Sequence, residues 1–165
     1  MKTNVNRMVK LGMLAALSLL LIFTIRFPLL PAAPFMEYEP GDVPILIGTF
    51  IFGPGAGLAI TAAVSAIQAF TVSAGSGWIG GIMHMIATGT MVVVVGLLHR
   101  RNNSLPGTIF ALVMGSLAMV MVMIPLNLFF TTLFLNVPRE TVLAMLLPVV
   151  IPFNIIKAGI NSTLT

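Results

Sequence analysis

The chain is built from apolar stretches, most about 20 residues long, each closed off by prolines, glycines or a few charges. A helix needs about 20 apolar residues to cross the hydrocarbon core of a bilayer, so the pattern points to a bundle of membrane helices. Met8 to Phe27 is the first such run. The segment PLLPAAPFMEYEPGD follows, with four prolines and the acids Glu37, Glu39 and Asp42. It reads as a loop of about 15 residues, long enough to act as a lid. Apolar runs then extend over Val43–Phe52, Leu58–Val72, Ile82–Leu98 and Thr108 to about Thr132, with a last one after the NVPRE loop. Only 7% of the 165 residues are charged and 58% are hydrophobic, against about 25% charged in soluble domains. Residues 1–165 therefore read as one all-α membrane domain without an added soluble part. The first run is too long for a secretory signal and lacks a cleavage site, so it reads as a retained helix.

The basic residues set the topology. Lys2, Arg7 and Lys10 precede the first helix, and Arg100 and Arg101 lie in a later turn. Positive charge collects on the cytoplasmic side. A hairpin at Gly53-Pro54-Gly55, a strong helix breaker, gives four crossings before Arg100 and returns it to the side of Lys2. One continuous helix over 43–72 would strand it outside. The sequence thus predicts six transmembrane helices, both termini cytoplasmic, and an external lid loop between helices 1 and 2. The net charge of +4 reports this orientation and not a nucleic-acid partner.

Most chemical motifs are missing or misplaced. GSGWIG (Gly75, Gly77, Gly80) has the G-x-G-x-x-G spacing, but an apolar helix precedes it, and no acid falls between Asp42 and Glu140. A dinucleotide site needs a strand before the motif and an acid about 20 residues on. No phosphate-loop sequence occurs, cysteines are absent, and the two histidines, His84 and His99, lack metal-ligand spacing. No catalytic residues, metal or cofactor are expected. His99 reads as a solvated helix end. His84, one turn inside the fourth helix, could line a cavity or bridge two helices.

Three polar residues remain. A lysine at the centre of a membrane helix costs roughly 2.5–3.5 kcal/mol on insertion scales, so Lys157 needs a reason. Asn154 lies three residues before it on the same helix face. Asn127 follows Pro125 near the outer end of the fifth helix. Pro148 and Pro152 would each interrupt a continuous helix, so the sixth helix is expected to start at Pro152, with 141–147 as a short segment under the external loop. Lys157 would then lie about two turns below the outer surface, level with Asn127. From Pro152 to Thr165 is only ~21 Å of helix, so the last helix is expected to be truncated. With no acid inside the helix runs to pair with it, Lys157 is expected to face a polar pocket open to the outside. Gly12 and Ala16 form a small-x-x-x-small step that lets another helix approach closely.

Nearly the whole chain resembles the substrate-binding S components of energy-coupling factor (ECF) vitamin transporters, most closely the riboflavin-binding group. The resemblance rests on Phe27-Pro28, on EYEPGDVPILIGTFIFGPGAG with Asp42, Pro44, Gly53 and Pro54, on the small-residue loop before helix four, on PLNLFF, and on PFNIIKAG. It implies a six-helix bacterial plasma-membrane protein whose first external loop closes over a vitamin. It also implies a transmembrane coupling subunit and two ATPases as partners, with Gly12 and Ala16 as a candidate contact. By the same resemblance Asn127, Asn154 and Lys157 contact the flavin, with Phe35, Tyr38 and Trp78 as aromatic wall candidates. Glu39 and Asp42 sit in the lid stretch. Two positions depart from the group: His84 stands where it carries asparagine, and Glu39-Pro40-Gly41 replaces a more regular acidic stretch. Another vitamin of pyridine or folate type on the same architecture, a membrane enzyme and a structural membrane subunit remain as alternatives.

Overall fold

A computed structural model describes residues 2–31, 33–71 and 77–165. Six helices follow one another: α1 (Lys2–Thr24), α2 (Asp42–Phe52), α3 (Pro54–Phe70), α4 (Gly77–Arg101), α5 (Leu105–Leu135) and α6 (Arg139–Leu164). Among the described residues α1, α4, α5 and α6 are long and apolar enough to cross a membrane, while α2 and α3 are shorter. Most of the expected boundaries hold to within a few residues. Gly77 to Gly81, expected in the small-residue loop SAGSGWIGG before helix four, instead belong to the first turns of α4, and the rest of that loop, 73–76, lies outside the described residues.

The hairpin at Gly53 is present. Gly53 takes a left-handed φ of 89°, ends α2 and begins α3 with Pro54 in its first turn. Only glycine adopts that backbone cheaply, and a side chain there would also meet the Arg100 guanidinium at 2.5 Å. The hairpin arms pack closely because Gly57 leaves room for Thr49 and Val92. α4 packs between α3 and α5, α5 packs on α6, and α1 lies against α2 and α3. The main core joins Ile45, Leu46, Ile60, Val64, Met91, Val92 and Val95. By connectivity one end of the bundle carries Gly53, Arg100 and Leu105. The other carries the α1–α2 loop.

The sixth helix differs from expectation. It runs without a break from Arg139 to Leu164, and both prolines are absorbed. Leu146–Val150 is a π turn, and Pro152 sits in the turn after it. A π turn widens the backbone spacing, which accommodates a proline ring that would break a regular helix. Lys157 consequently lies 18 residues into α6, ~27 Å along it and not two turns. The first part of α6 packs under the α1–α2 loop. Val149, Val150 and Phe153 pack against Ala33 and Met36 of the α1–α2 loop, with Leu29 and Leu30 alongside.

That loop is tied down along its length. Strands β1 (Phe27–Pro28) and β2 (Glu37–Tyr38) pair antiparallel, with Phe27 opposite Tyr38. An Arg26–Glu37 ion pair closes its entry. At the exit Ser18 donates to the Gly41 carbonyl at 2.6 Å. The segment between folds inward and brings Glu39 beneath the surface, 6% exposed.

Candidate functional site

A cavity of about 160 Å³ opens among the loop, α3, α4, α5 and α6. Its polar lining includes Glu39 from the loop, Gln68 from α3, His84 and Thr88 from α4, Asn127 and Thr131 from α5, and Asn154 and Lys157 from α6. Apolar walls come from Met36, Met83, Met119, Met123, Phe35, Phe130, Phe134 and Phe153.

The two asparagines are placed by the same local device. Each follows a proline by two residues, and each adjoins a π turn: Asn127 opens the one at Asn127–Thr131, and Asn154 follows the one at Leu146–Val150. A π turn disturbs the regular backbone ladder, and each side-chain amide donates at 2.8 Å to the carbonyl four residues earlier, Met123 for Asn127 and Val150 for Asn154. The oxygens differ. Asn127 Oδ1 accepts from the Thr131 hydroxyl at 2.8 Å, whereas Asn154 Oδ1 is buried without a partner.

Lys157 is not left facing a pocket without an acid, as the sequence suggested. Its ammonium lies 3.4 Å from Glu39 Oε1. The acid comes from the loop and not from a helix, so scanning the helix runs could not find it. Gln68 donates to both Glu39 oxygens, at 2.9 and 3.1 Å, which leaves Gln68 Oε1 buried without a partner. Burial acts to raise the Glu39 carboxyl, but nearby Lys157, then His84 and the Gln68 amide, outweigh it and hold it below its ordinary value. The Tyr38 phenol is pushed up, chiefly by burial.

Asp42 is buried behind the cavity, where its first oxygen accepts from Thr88 at 2.9 Å and pairs with His84 Nε2 at 3.2 Å, and its second accepts from Asn161 at 3.0 Å. His84 does both things left open for it: it lines the cavity and joins α4 to α2 and α3. Its Nδ1 is 2.7 Å from the Ser65 hydroxyl. Both ring nitrogens are therefore engaged inside the protein. Tyr38 also lies behind the wall, donating to Asn161 Oδ1 at 3.0 Å. Trp78 is more than half exposed and stands edge-on at 6.2 Å to Phe130 of the chamber wall. Gly12 and Ala16 are exposed, and a Cβ on Gly12 would touch nothing within 4 Å. His99 is not a solvated end: it is half-buried, 3.0 Å from the Thr108 hydroxyl and edge-on to Phe50. Gln68, Thr88, Asn161 and Ser65 escaped notice in the sequence because single polar residues within apolar runs carry no pattern.

Fold and cavity together define an all-α membrane bundle that closes a polar, aromatic-walled chamber beneath one folded loop. The sequence profile described as "ECF transporter, substrate-specific component" matches residues 6–165, and the chain belongs to that family. It is 36% identical over 130 residues to "Riboflavin transporter RibU" of Lactococcus lactis subsp. cremoris (strain NZ9000), covering 78% of this chain and 63% of that relative's length. It is 30% identical over 163 residues to "Riboflavin transporter FmnP" of Bacillus subtilis (strain 168), covering 93% and 85%. A solved structure described as "Structure and mechanism of the S component of a bacterial ECF transporter" superposes with a TM-score of 0.83 at 26% identity, over 97% of this chain and 90% of that one.

Proposed function

We propose that this chain binds riboflavin for uptake, as the substrate-specific component of an ECF transporter in a bacterial plasma membrane. One observation carries the reading beyond the relatives' names. Two buried amide oxygens, Gln68 Oε1 and Asn154 Oδ1, line one chamber and have no protein partner. An unpartnered buried acceptor costs about 1–3 kcal/mol, so a guest that brings N–H or O–H donors is favoured. Riboflavin supplies an imide N–H flanked by carbonyls and a chain of ribityl hydroxyls. Lys157 can donate to a carbonyl or hydroxyl oxygen while Glu39 holds its charge. The methionine and phenylalanine walls suit the flat apolar body of the ring. Asn127, whose amide is largely committed to its own helix, fixes the wall on the α5 side.

In this reading the loop carrying Phe35, Glu39 and Asp42 is the external lid. The arginine-bearing end is cytoplasmic, in keeping with its charge. A transmembrane coupling subunit and two ATPases drive release, and the exposed Gly12/Ala16 face receives the coupling subunit. Titration of the purified chain with riboflavin, read by flavin fluorescence, tests the site. Each of Asn154→Leu and Gln68→Leu removes one hydrogen bond to the ligand, worth about 0.5–1.5 kcal/mol, so each is expected to weaken binding about two- to tenfold. Unchanged affinity in both would remove the chamber from the mechanism.

A further inference from the structure

The end of the bundle opposite the cavity carries a feature that vitamin capture does not use. Two guanidinium groups from different helices meet at the α2–α3 corner. Arg7 of α1 donates to the Phe52 carbonyl at 3.3 Å. Arg100 of α4 lies over Gly53, its Nη2, Cζ and Nε at 2.5, 3.2 and 3.3 Å from where a Cβ would stand. They therefore contact consecutive residues, and the absence of a side chain at Gly53 makes the approach of Arg100 possible. Both are exposed. Lys10, one turn after Arg7, and Arg101 add charge at the same end.

Among the described residues no side-chain carboxylate forms an ion pair with either arginine. The chain's four carboxylates are Glu37, Glu39, Asp42 and Glu140. The first three belong to the loop and the chamber, and Glu140 opens α6 at that same far end. The ion pairs found among the described residues involve Arg26, His84 and Lys157, all away from this corner. Arg7 and Arg100 bring two like charges to consecutive residues of one corner, and an anion seated there would offset their repulsion. The surroundings indicate which anion. Met8, Ile51 and Leu97, beside Arg7, the corner and Arg100 in sequence, are exposed apolar side chains. The arginines thus lie beside exposed apolar side chains on three helices.

We propose that Arg7 and Arg100 form a binding site for the phosphodiester of an anionic phospholipid, with its acyl chains along Met8, Ile51 and Leu97. Guanidinium forks match phosphate oxygens two at a time. An anionic headgroup carries net charge to offset the unpaired arginines, whereas a zwitterionic headgroup offers the same phosphate beside its own cation. The site ties α1 and α4 to the α2–α3 hairpin through a lipid.

The test uses the full purified chain in a neutral detergent. Phosphatidylglycerol is added, and lipid retention is read by native mass spectrometry beside thermal unfolding. Phosphatidylcholine with the same acyl chains and inorganic phosphate serve as separate arms. Phosphatidylglycerol is expected to be retained at one copy and to raise the melting temperature. Phosphatidylcholine and phosphate should do neither. Arg7→Gln/Arg100→Gln is expected to weaken retention at least tenfold. Lys10→Gln/Arg101→Gln, which removes the same charge, should weaken it less than threefold. If the first pair of changes prevents folding, Arg7→Lys/Arg100→Lys keeps the charge and loses the forks, and a severalfold loss is still expected. Equal losses in the two glutamine variants, no preference for phosphatidylglycerol in the parent, or an equal effect of phosphate alone would each overturn the site.

Discussion

Replacing Lys157 with methionine keeps most of the stem and removes the ammonium. Had the lysine faced an open pocket without an acidic partner, the ligand-free protein would lose a desolvated charge and hold or gain stability. The structure reverses that expectation. Lys157 is the cationic partner of Glu39, and both are buried. Breaking a buried pair from one side leaves the other charge uncompensated. The cost has a ceiling, because Glu39 can take up a proton instead. Protonating a glutamate of ordinary pKa at pH 7 costs about 3.7 kcal/mol. Gln68 still donates to both carboxylate oxygens, which keeps part of the stabilisation. A loss of about 1–3 kcal/mol is therefore expected. Glu39→Gln combined with Lys157→Met removes both charges and should recover most of it, since replacing a whole buried pair costs far less than halving it. The assay is thermal unfolding of the four ligand-free proteins in one detergent. The expected order places Lys157→Met lowest and the double variant close to the parent. If Lys157→Met melts with the parent, or if the two changes simply add, the lysine and the glutamate do not act as a pair.

Three further outcomes follow from the same contacts. Deleting several residues around Phe35 should speed flavin dissociation severalfold while the helical content stays the same; an unchanged off-rate would show that the loop is not a lid. Gly12→Leu/Ala16→Leu should block assembly with a coupling subunit, seen by co-purification, and leave flavin affinity within about twofold, because the face is exposed in the isolated chain. Gly57→Ala forces a methyl into Thr49 and Val92, so it should destabilise the protein by about 1–3 kcal/mol, and a melting temperature equal to the parent's would mean that the α2–α3 hairpin is looser than described.

The helices could be read from apolar run length, and the hairpin at Gly53 from a breaker combined with the positions of Arg100 and Lys2. The first half of α6 could not. Pro148 and Pro152 predict a break in any scheme built on regular helical hydrogen bonds, and the π turn that absorbs them leaves no separate mark in the sequence. Asn127, Asn154 and Lys157 drew attention because polar groups in a membrane run need a reason, and the structure gathers them around one cavity although the helix that carries two of them does not start at Pro152. Glu39 and Gln68 show the limit. Glu39 lies in a loop 118 residues from Lys157, and only the folding of that loop into the bundle brings it there. Gln68 is one polar residue near the end of an apolar helix, and its role appears only once Glu39 is in place.

The most direct measurement is the absorption spectrum and flavin content of the full chain, purified from riboflavin-supplied cells and washed without added ligand. Bound riboflavin at close to one flavin per chain is expected, with most of it lost in a combined Asn154→Leu/Lys157→Met protein that still elutes as a folded species. A colourless parent that also fails to take up added riboflavin would contradict the assignment of this chamber to a flavin.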